Sequence, residues 1–267
     1  MASAAAGHEE KKDYIIEHLL DGPDLHTPFG HIHLPHIELF GYDISITRHV
    51  VMMWVASLFL ITVFLISTRR RGLVPKGFAN AAEAIILFIR DEIARPNIGD
   101  KAYRRFMPYL LTVFFFVLTC NFLGLIPYGA TATGNVSVTA GLALCTFLMV
   151  QIAGMIHNGL FGYWKNLVPP GLPFPVTLIL IPIELIGLIS KPFALCIRLF
   201  ANMTAGHVII LAILGLIFFF KAYTIALVAV PFSLAIYLLE CFVALIQAYV
   251  FTMLSAVFIG MAVHQEH

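Results

Sequence analysis

The chain has 267 residues, 60% of them hydrophobic and only 12% charged, with a mean hydropathy of +0.91 and a formal net charge of +1. A soluble domain carries about a quarter Asp, Glu, Lys and Arg on its exposed faces, so half that share excludes an ordinary globular enzyme and a disordered linker. The near-zero net charge supplies no basic field for nucleic acid. The composition predicts an all-α polytopic membrane protein, in which helices of about 20 apolar residues cross the hydrocarbon core.

Residues 1–48 read as a polar arm with eight acidic residues, Glu9, Glu10, Asp13, Glu17, Asp21, Asp24, Glu38 and Asp43, against Lys11, Lys12 and Arg48. Within it Ile15, Ile16, Leu19 and Leu20 predict a short amphipathic helix ahead of the Gly22-Pro23 break. His26, His31, His33 and His36 are irregularly spaced with proline between them, which fits a solvated loop better than a metal site. The start of the chain lacks the basic, apolar and small-residue succession of a removable signal peptide.

The membrane domain, 49–267, opens with a first span over 50–67 that ends on Arg69, Arg70 and Arg71. The positive-inside rule puts that triplet in the cytoplasm and the acidic arm outside. Over 76–95 the apolar residues Phe78, Ala82, Ile85, Ile86, Ile89 and Ile93 recur at helical spacing, but Glu83, Arg90, Asp91 and Glu92 interrupt too often for a span. An interfacial amphipathic helix is expected there.

From Phe106 to Trp164 there is no Asp, Glu, Lys or Arg. At 1.5 Å per residue and a core of about 30 Å, that stretch holds two spans, 106–126 and 136–156, around an uncharged loop. Ten Lys and Arg, at positions 69, 70, 71, 76, 90, 95, 101, 104, 105 and 165, fall in the expected inner loops. Two further apolar stretches, 172–220 and 222–263, are each far longer than one perpendicular crossing; they either bend back or tilt, and hydropathy leaves both open. Cys120, Cys145, Cys196 and Cys241 all sit in apolar segments without metal-ligand spacing and read as small hydrophobes.

Residues 166–265 contain five charges, Glu184, Lys191, Arg198, Lys221 and Glu240. Each charge at the bilayer centre costs ~2.5–3.5 kcal/mol on insertion scales, so placement there is a functional sign. Glu184, Lys191 and Arg198 are spaced by seven, with Asn202 one turn further, and share a helix stripe; His207 falls on the opposite face. Glu240 and Gln247 are also seven apart. An antiparallel hairpin turning near Lys221 sets Arg198 level with Gln247 and His207 level with Glu240. Lys191 and Lys221 are expected to snorkel to an interface. For Arg198 the bland alternative is a structural ion pair with Glu184 or Glu240, and for His207 with Glu240 a satisfied buried pair in place of a proton relay. No phosphate loop, zinc-protease motif or nucleophile elbow is present, so no catalytic site is expected.

The run PIELIGLISKPFALCIRLFANMTAGHV from Pro182 to Val208 resembles the signature of the a subunit of bacterial rotary ATP synthases, and NFLGLIP (121–127) and LLECFVALIQAYVF (238–251) resemble its companion motifs. The resemblance covers the chain from about residue 45 onward. It implies five membrane-crossing helices plus the interfacial one, the last two long, tilted and forming a hairpin against the rotor ring of c subunits. It also implies a b-subunit peripheral stalk and the rest of the synthase complex as partners, a bacterial plasma membrane, an outside N-terminus and a cytoplasmic C-terminus, with no cofactor or metal. By the resemblance, Arg198 is the stator arginine, Asn202 and Gln247 are its polar neighbours, His207 and Glu240 belong to the outer half-channel, and Glu184 to the cytoplasmic one. Many relatives carry the acid and the imidazole in the opposite order, so the role passes to the pair. The resemblance leaves sodium coupling open, because the ion's main ligands would lie on the ring. The competing reading is a stand-alone proton-coupled transporter or channel; the inverted repeats common in such folds are not evident in the sequence.

Overall fold

The structure is a computed structural model and describes residues 24–27, 30–33, 38–39, 42–43, 45–69, 77–126, 131–165, 174–220 and 223–264. The amphipathic helix expected at Ile15–Leu20 and the Arg70, Arg71 and Lys221 positions lie outside these residues. In the arm, β1 (Asp24–Thr27) pairs antiparallel with β2 (Gly30–His33), from Asp24 opposite His33 to Thr27 opposite Gly30. Likewise β3 (Glu38–Leu39) pairs with β4 (Tyr42–Asp43). These ladders lie in the arm and leave the all-α membrane domain as expected; strands of four and two residues are too short to show a period-2 pattern.

The remaining described elements are helical. They are α1 (Arg48–Arg69), α2 (Phe78–Phe88) running through a wide π turn (Ile89–Ala94) into α3 (Arg95–Ile98), α4 (Tyr103–Leu125), a 3₁₀ turn (Ala132–Gly134), α5 (Val136–Asn158), α6 (Leu160–Lys165), α7 (Phe174–Phe220) and α8 (Tyr223–Val263). Five of them, α1, α4, α5, α7 and α8, are long and apolar enough to cross a membrane. The two longest, of 47 and 41 residues, do not bend back into shorter spans. They continue as helix through Pro182, Pro192 and Pro231. At full length α7 is about 70 Å long, more than twice the hydrocarbon thickness, which requires a steep tilt. Between α5 and α6, Gly159 takes φ 75°, a conformation that a side chain would strain.

The chain divides into two compact units. Unit 1 comprises Met1–Phe59, Thr119–Val138 and Phe200–Leu245; unit 2 comprises Leu60–Leu118, Thr139–Leu199 and Ile246–His267. Unit 2 has an apolar core that includes Ile89, Ile93, Ile98, Leu110, Val117, Leu199, Phe251 and Ile259. The apolar side of the α2–α3 segment is therefore covered by protein, while Leu87 and Phe88 remain exposed. On its outward side Arg90 donates to Asp91 at 2.9 and 2.8 Å and, with Arg95, holds that carboxyl below the usual carboxylate range. Two buried hydroxyls in unit 2 are satisfied within their own helix: Thr252 and Ser255 donate to the carbonyls of Ala248 and Phe251, both at 2.8 Å. The end of α8 is tied down where His264 Nε2 donates to the Ile98 carbonyl at 2.8 Å. Unit 1 is different in kind, since its buried residues include Arg48, His49, Asn121, Thr131, Thr133, Ser233 and Glu240.

Close backbone approach replaces hydrophobic drive where the solvent is lipid. A Cβ on Gly260 would run into the Asn97 carbonyl, whereas one on Gly141 would meet nothing within 4 Å. Gly260→Ala is expected to destabilise the solubilised protein by ~1–3 kcal/mol and Gly141→Ala to leave its thermal midpoint unchanged. Equal midpoints for the two variants would show that the α8–α3 contact does not carry that weight.

Candidate functional site

In unit 1, α7 contributes His207 and α8 contributes Glu240, and His207 Nδ1 lies 3.7 Å from Glu240 Oε1. Glu240 is buried and His207 half-buried. The two residues that sequence spacing set at one depth are thus brought together. Glu240 reaches the site because Gly206 has no side chain; a Cβ there would overlap the Glu240 carboxylate. Gly124 plays the same part on α4, where a Cβ would overlap the Thr131 side chain.

The imidazole is ringed by oxygen. Nδ1 stands 3.1 Å from the Met203 carbonyl, and Nε2 stands 3.1 Å from both the Gly124 carbonyl and Thr131 Oγ1. Thr131 Oγ1 is also 3.3 Å from the Gly124 carbonyl. This arrangement serves two protonation states. In the neutral ring, Nδ1–H donates to Met203 and Nε2 accepts from the Thr131 hydroxyl. In the imidazolium, Nε2–H donates to Gly124 and Nδ1–H faces Met203 and Glu240. Each state finds partners without moving a helix.

A second layer holds this cage. Asn121 Nδ2 donates to the Ala244 carbonyl at 3.3 Å and its Oδ1 accepts from Thr133 at 2.7 Å; Tyr237 donates to the Leu125 carbonyl at 3.0 Å. Sequence reasoning quoted Asn121 within a motif without giving it a role, and it missed Thr131, Thr133 and Gly206. The available signal was the uncharged run Thr131-Ala-Thr133-Gly134, whose hydroxyls read as ordinary loop in the sequence. Asn202 also lies in unit 1; it is exposed on α7 and takes part in a polar or electrostatic interaction.

Unit 2 holds Arg198, Gln247 and Glu184. Gln247 is 3% exposed and engaged by a neighbouring group. Arg198 is exposed and, among the described residues, has no hydrogen bond or ion pair, so equal depth with Gln247 does not amount to a bond between them. Glu184 is half-buried and is likewise without a hydrogen bond or ion pair among the described residues, which leaves the structural Glu184–Arg198 pair unmade. Lys191 Nζ sits 5.7 Å from the Phe258 ring centroid, a cation–π contact that holds it beside α8. Among the described residues no group of three or more His, Cys, Asp or Glu is placed to hold a metal ion.

Residues 50–260 match the family described as ATP synthase A chain. The chain belongs to that family. It is 53% identical to ATP synthase subunit a 2 of Prosthecochloris aestuarii over 100% of this chain and 84% of the relative. It is 52% identical to ATP synthase subunit a of Chloroherpeton thalassium over 97% of this chain and 80% of the relative, and 44% identical to that of an Anaeromyxobacter species over 100% and 74%. The matched region contains Glu184, Arg198, Asn202, His207, Glu240 and Gln247, so every candidate side chain lies inside the family domain.

If His207 and Glu240 act as a pair, the site needs one acid and one imidazole within reach rather than a fixed order. Glu240→Ala and His207→Ala are each expected to slow ATP-driven proton pumping in membrane vesicles by roughly a hundredfold. The double exchange His207→Glu with Glu240→His should pump clearly better than His207→Glu alone. A stably assembled double variant that pumps no better than the single one would show that the two do not work together.

Proposed function

We propose that this chain is the proton-conducting stator subunit of a bacterial ATP synthase and presents Arg198 to a rotor ring. The observation that carries the reading is the state of Arg198. It lies at the middle of α7, exposed and without a hydrogen bond or ion pair among the described residues. A guanidinium stays charged at any working pH, and at membrane depth it requires a counter-charge. Among the described residues none pairs with it, which supports a carboxylate on another chain as its partner. The Arg198 side of α7 also carries Gly187 and Ala194, small residues that let a second helix approach closely.

In this reading the proton enters from the outside through His207 and Glu240 and neutralises a rotor carboxylate, which then moves into lipid. After nearly a full turn it loses the proton towards Glu184 and the cytoplasm, and the resulting anion is drawn to Arg198. Arg198 passes no proton itself; it keeps the two half-channels apart. Asn202 and Gln247 shape the exchange region on either helix. Each charge moved down the potential releases ~2.3 kcal/mol per 100 mV, and routing it around the ring turns that energy into torque. The ATP chemistry belongs to other subunits, and this chain has no catalytic site of its own. Its further partners are a b-subunit peripheral stalk and the lipid of the bacterial inner membrane, with the N-terminus outside and the C-terminus cytoplasmic.

Arg198→Ala in the assembled complex is expected to abolish both ATP-driven pumping and proton-driven synthesis. Arg198→Lys should also fail, because an ammonium can give up its proton and lacks the planar fork. Normal coupled synthesis in Arg198→Ala would end this reading. For orientation, Gly30→Cys should react with an impermeant thiol reagent added outside intact cells and Gly72→Cys should not; the reverse pattern would exchange the two half-channels.

A further inference from the structure

Hydroxyl groups in the membrane helices of this chain follow a habit. Ser57, Thr112, Thr146, Thr252 and Ser255 each donate to the carbonyl four residues back, at 2.8–3.1 Å, which satisfies the group inside its own helix. Ser233 and Thr204 depart from it. Ser233 is 6% exposed on α8, and the buried oxygens of both hydroxyls have no hydrogen-bond partner. A buried hydroxyl left in this state costs about 1–3 kcal/mol, several times what back-bonding would require, so its orientation calls for a reason.

Both hydroxyls belong to unit 1, and both flank the acid–imidazole pair. Ser233 precedes Glu240 by seven residues on α8, which sets the two on one face about 10 Å apart along the axis. Thr204 precedes His207 by three on α7, on the side of the pair towards Arg198. Its Oγ1 faces the 3₁₀ turn, 4.0 Å from where a Gly134 Cβ would stand, and Thr133 lies in that same turn. Because α7 and α8 run antiparallel through the His207–Glu240 contact, Ser233 and Thr204 lie on opposite sides of it along the hairpin.

We propose that Ser233 and Thr204 are water-ordering positioning residues of the proton route, Ser233 ahead of the Glu240–His207 pair and Thr204 after it. The inference rests on the relay reading of that pair. A gap of about 10 Å is spanned by three or four water molecules, and a hydroxyl with a free donor and free lone pairs is a small group that can fix such a file. At each hop one O–H bond forms as another breaks, the Ser or Thr hydroxyl accepting from one water and donating to the next. The proton number is conserved and no other reactant is needed. The five back-bonded hydroxyls cannot do this, since their protons are committed to their own helices.

The test uses the complete synthase in membrane vesicles, with Ser233→Ala, Ser233→Thr, Thr204→Val and Thr204→Ser compared with Glu240→Ala. Ser233→Ala and Thr204→Val should assemble normally and pump about tenfold more slowly, the rate equivalent of one lost hydrogen bond, with an enlarged solvent deuterium isotope effect. Ser233→Thr and Thr204→Ser should restore both readings, which a purely structural role would not require. Unmodified pumping and isotope effect in Ser233→Ala and Thr204→Val, with Glu240→Ala slow, would overturn this inference and leave the relay intact. Normal pumping in Glu240→Ala would overturn both. If Ser233→Ala does not assemble, Ser233→Cys supplies a second measurement against the unmodified chain. Added silver ion should block its pumping if water reaches the site, and insensitivity to silver would sink the proposal.

Discussion

A charge inside a bilayer must be paired, hydrated or neutralised, and the arrangement of this protein follows from how it treats its few intramembrane charges. Glu240 and His207 answer each other within the chain, in a cage of carbonyl and hydroxyl oxygens cut out of α4, α7 and α8. Arg198 has no hydrogen bond or ion pair among the described residues of its own chain. A self-contained transporter would satisfy both sites internally. A stator that must hold and release a moving carboxylate has to leave one of them open, and the exposed guanidinium fits the second description.

The two interiors match this division of labour. The core cluster of unit 2 is apolar, and Thr252 and Ser255 beside it bond their own helix, so the helix segment that carries Arg198 is backed by a well-packed body. Unit 1 buries polar residues among its apolar ones, and the Ser233 and Thr204 hydroxyls stay free of their own backbone. Gly206 and Gly124 give the polar groups room: removing two side chains lets a carboxylate and a threonine approach the imidazole without spreading the helices. The glycine of the Ala205-Gly206-His207 string is therefore a space requirement set by Glu240 on another helix.

Much of this was legible beforehand because lipid imposes simple rules. Hydropathy and the spacing of basic residues placed the first three crossing helices, the family resemblance supplied the last two, and the antiparallel hairpin register that sets His207 level with Glu240 anticipated their contact. What stayed hidden depends on contact rather than pattern. Thr131 and Asn121 looked like loop and apolar-helix residues until α4 was seen against α7 and α8. The register set Gln247 level with Arg198, but that one is buried and the other exposed is a distinction that spacing along the chain does not resolve. The short ladders of the arm escaped because two- and four-residue strands leave no periodic trace, and the apolar face of the α2–α3 segment gave no hint that protein, not lipid, would cover it.

The most direct test of the central claim is the identity of the group nearest the Arg198 guanidinium in an experimental structure of the intact complex. The account predicts a carboxylate from another chain, within about 4 Å or bridged by a single water. A guanidinium bonded instead to Glu184 or another residue of its own chain, with no foreign carboxylate at its depth, would contradict it.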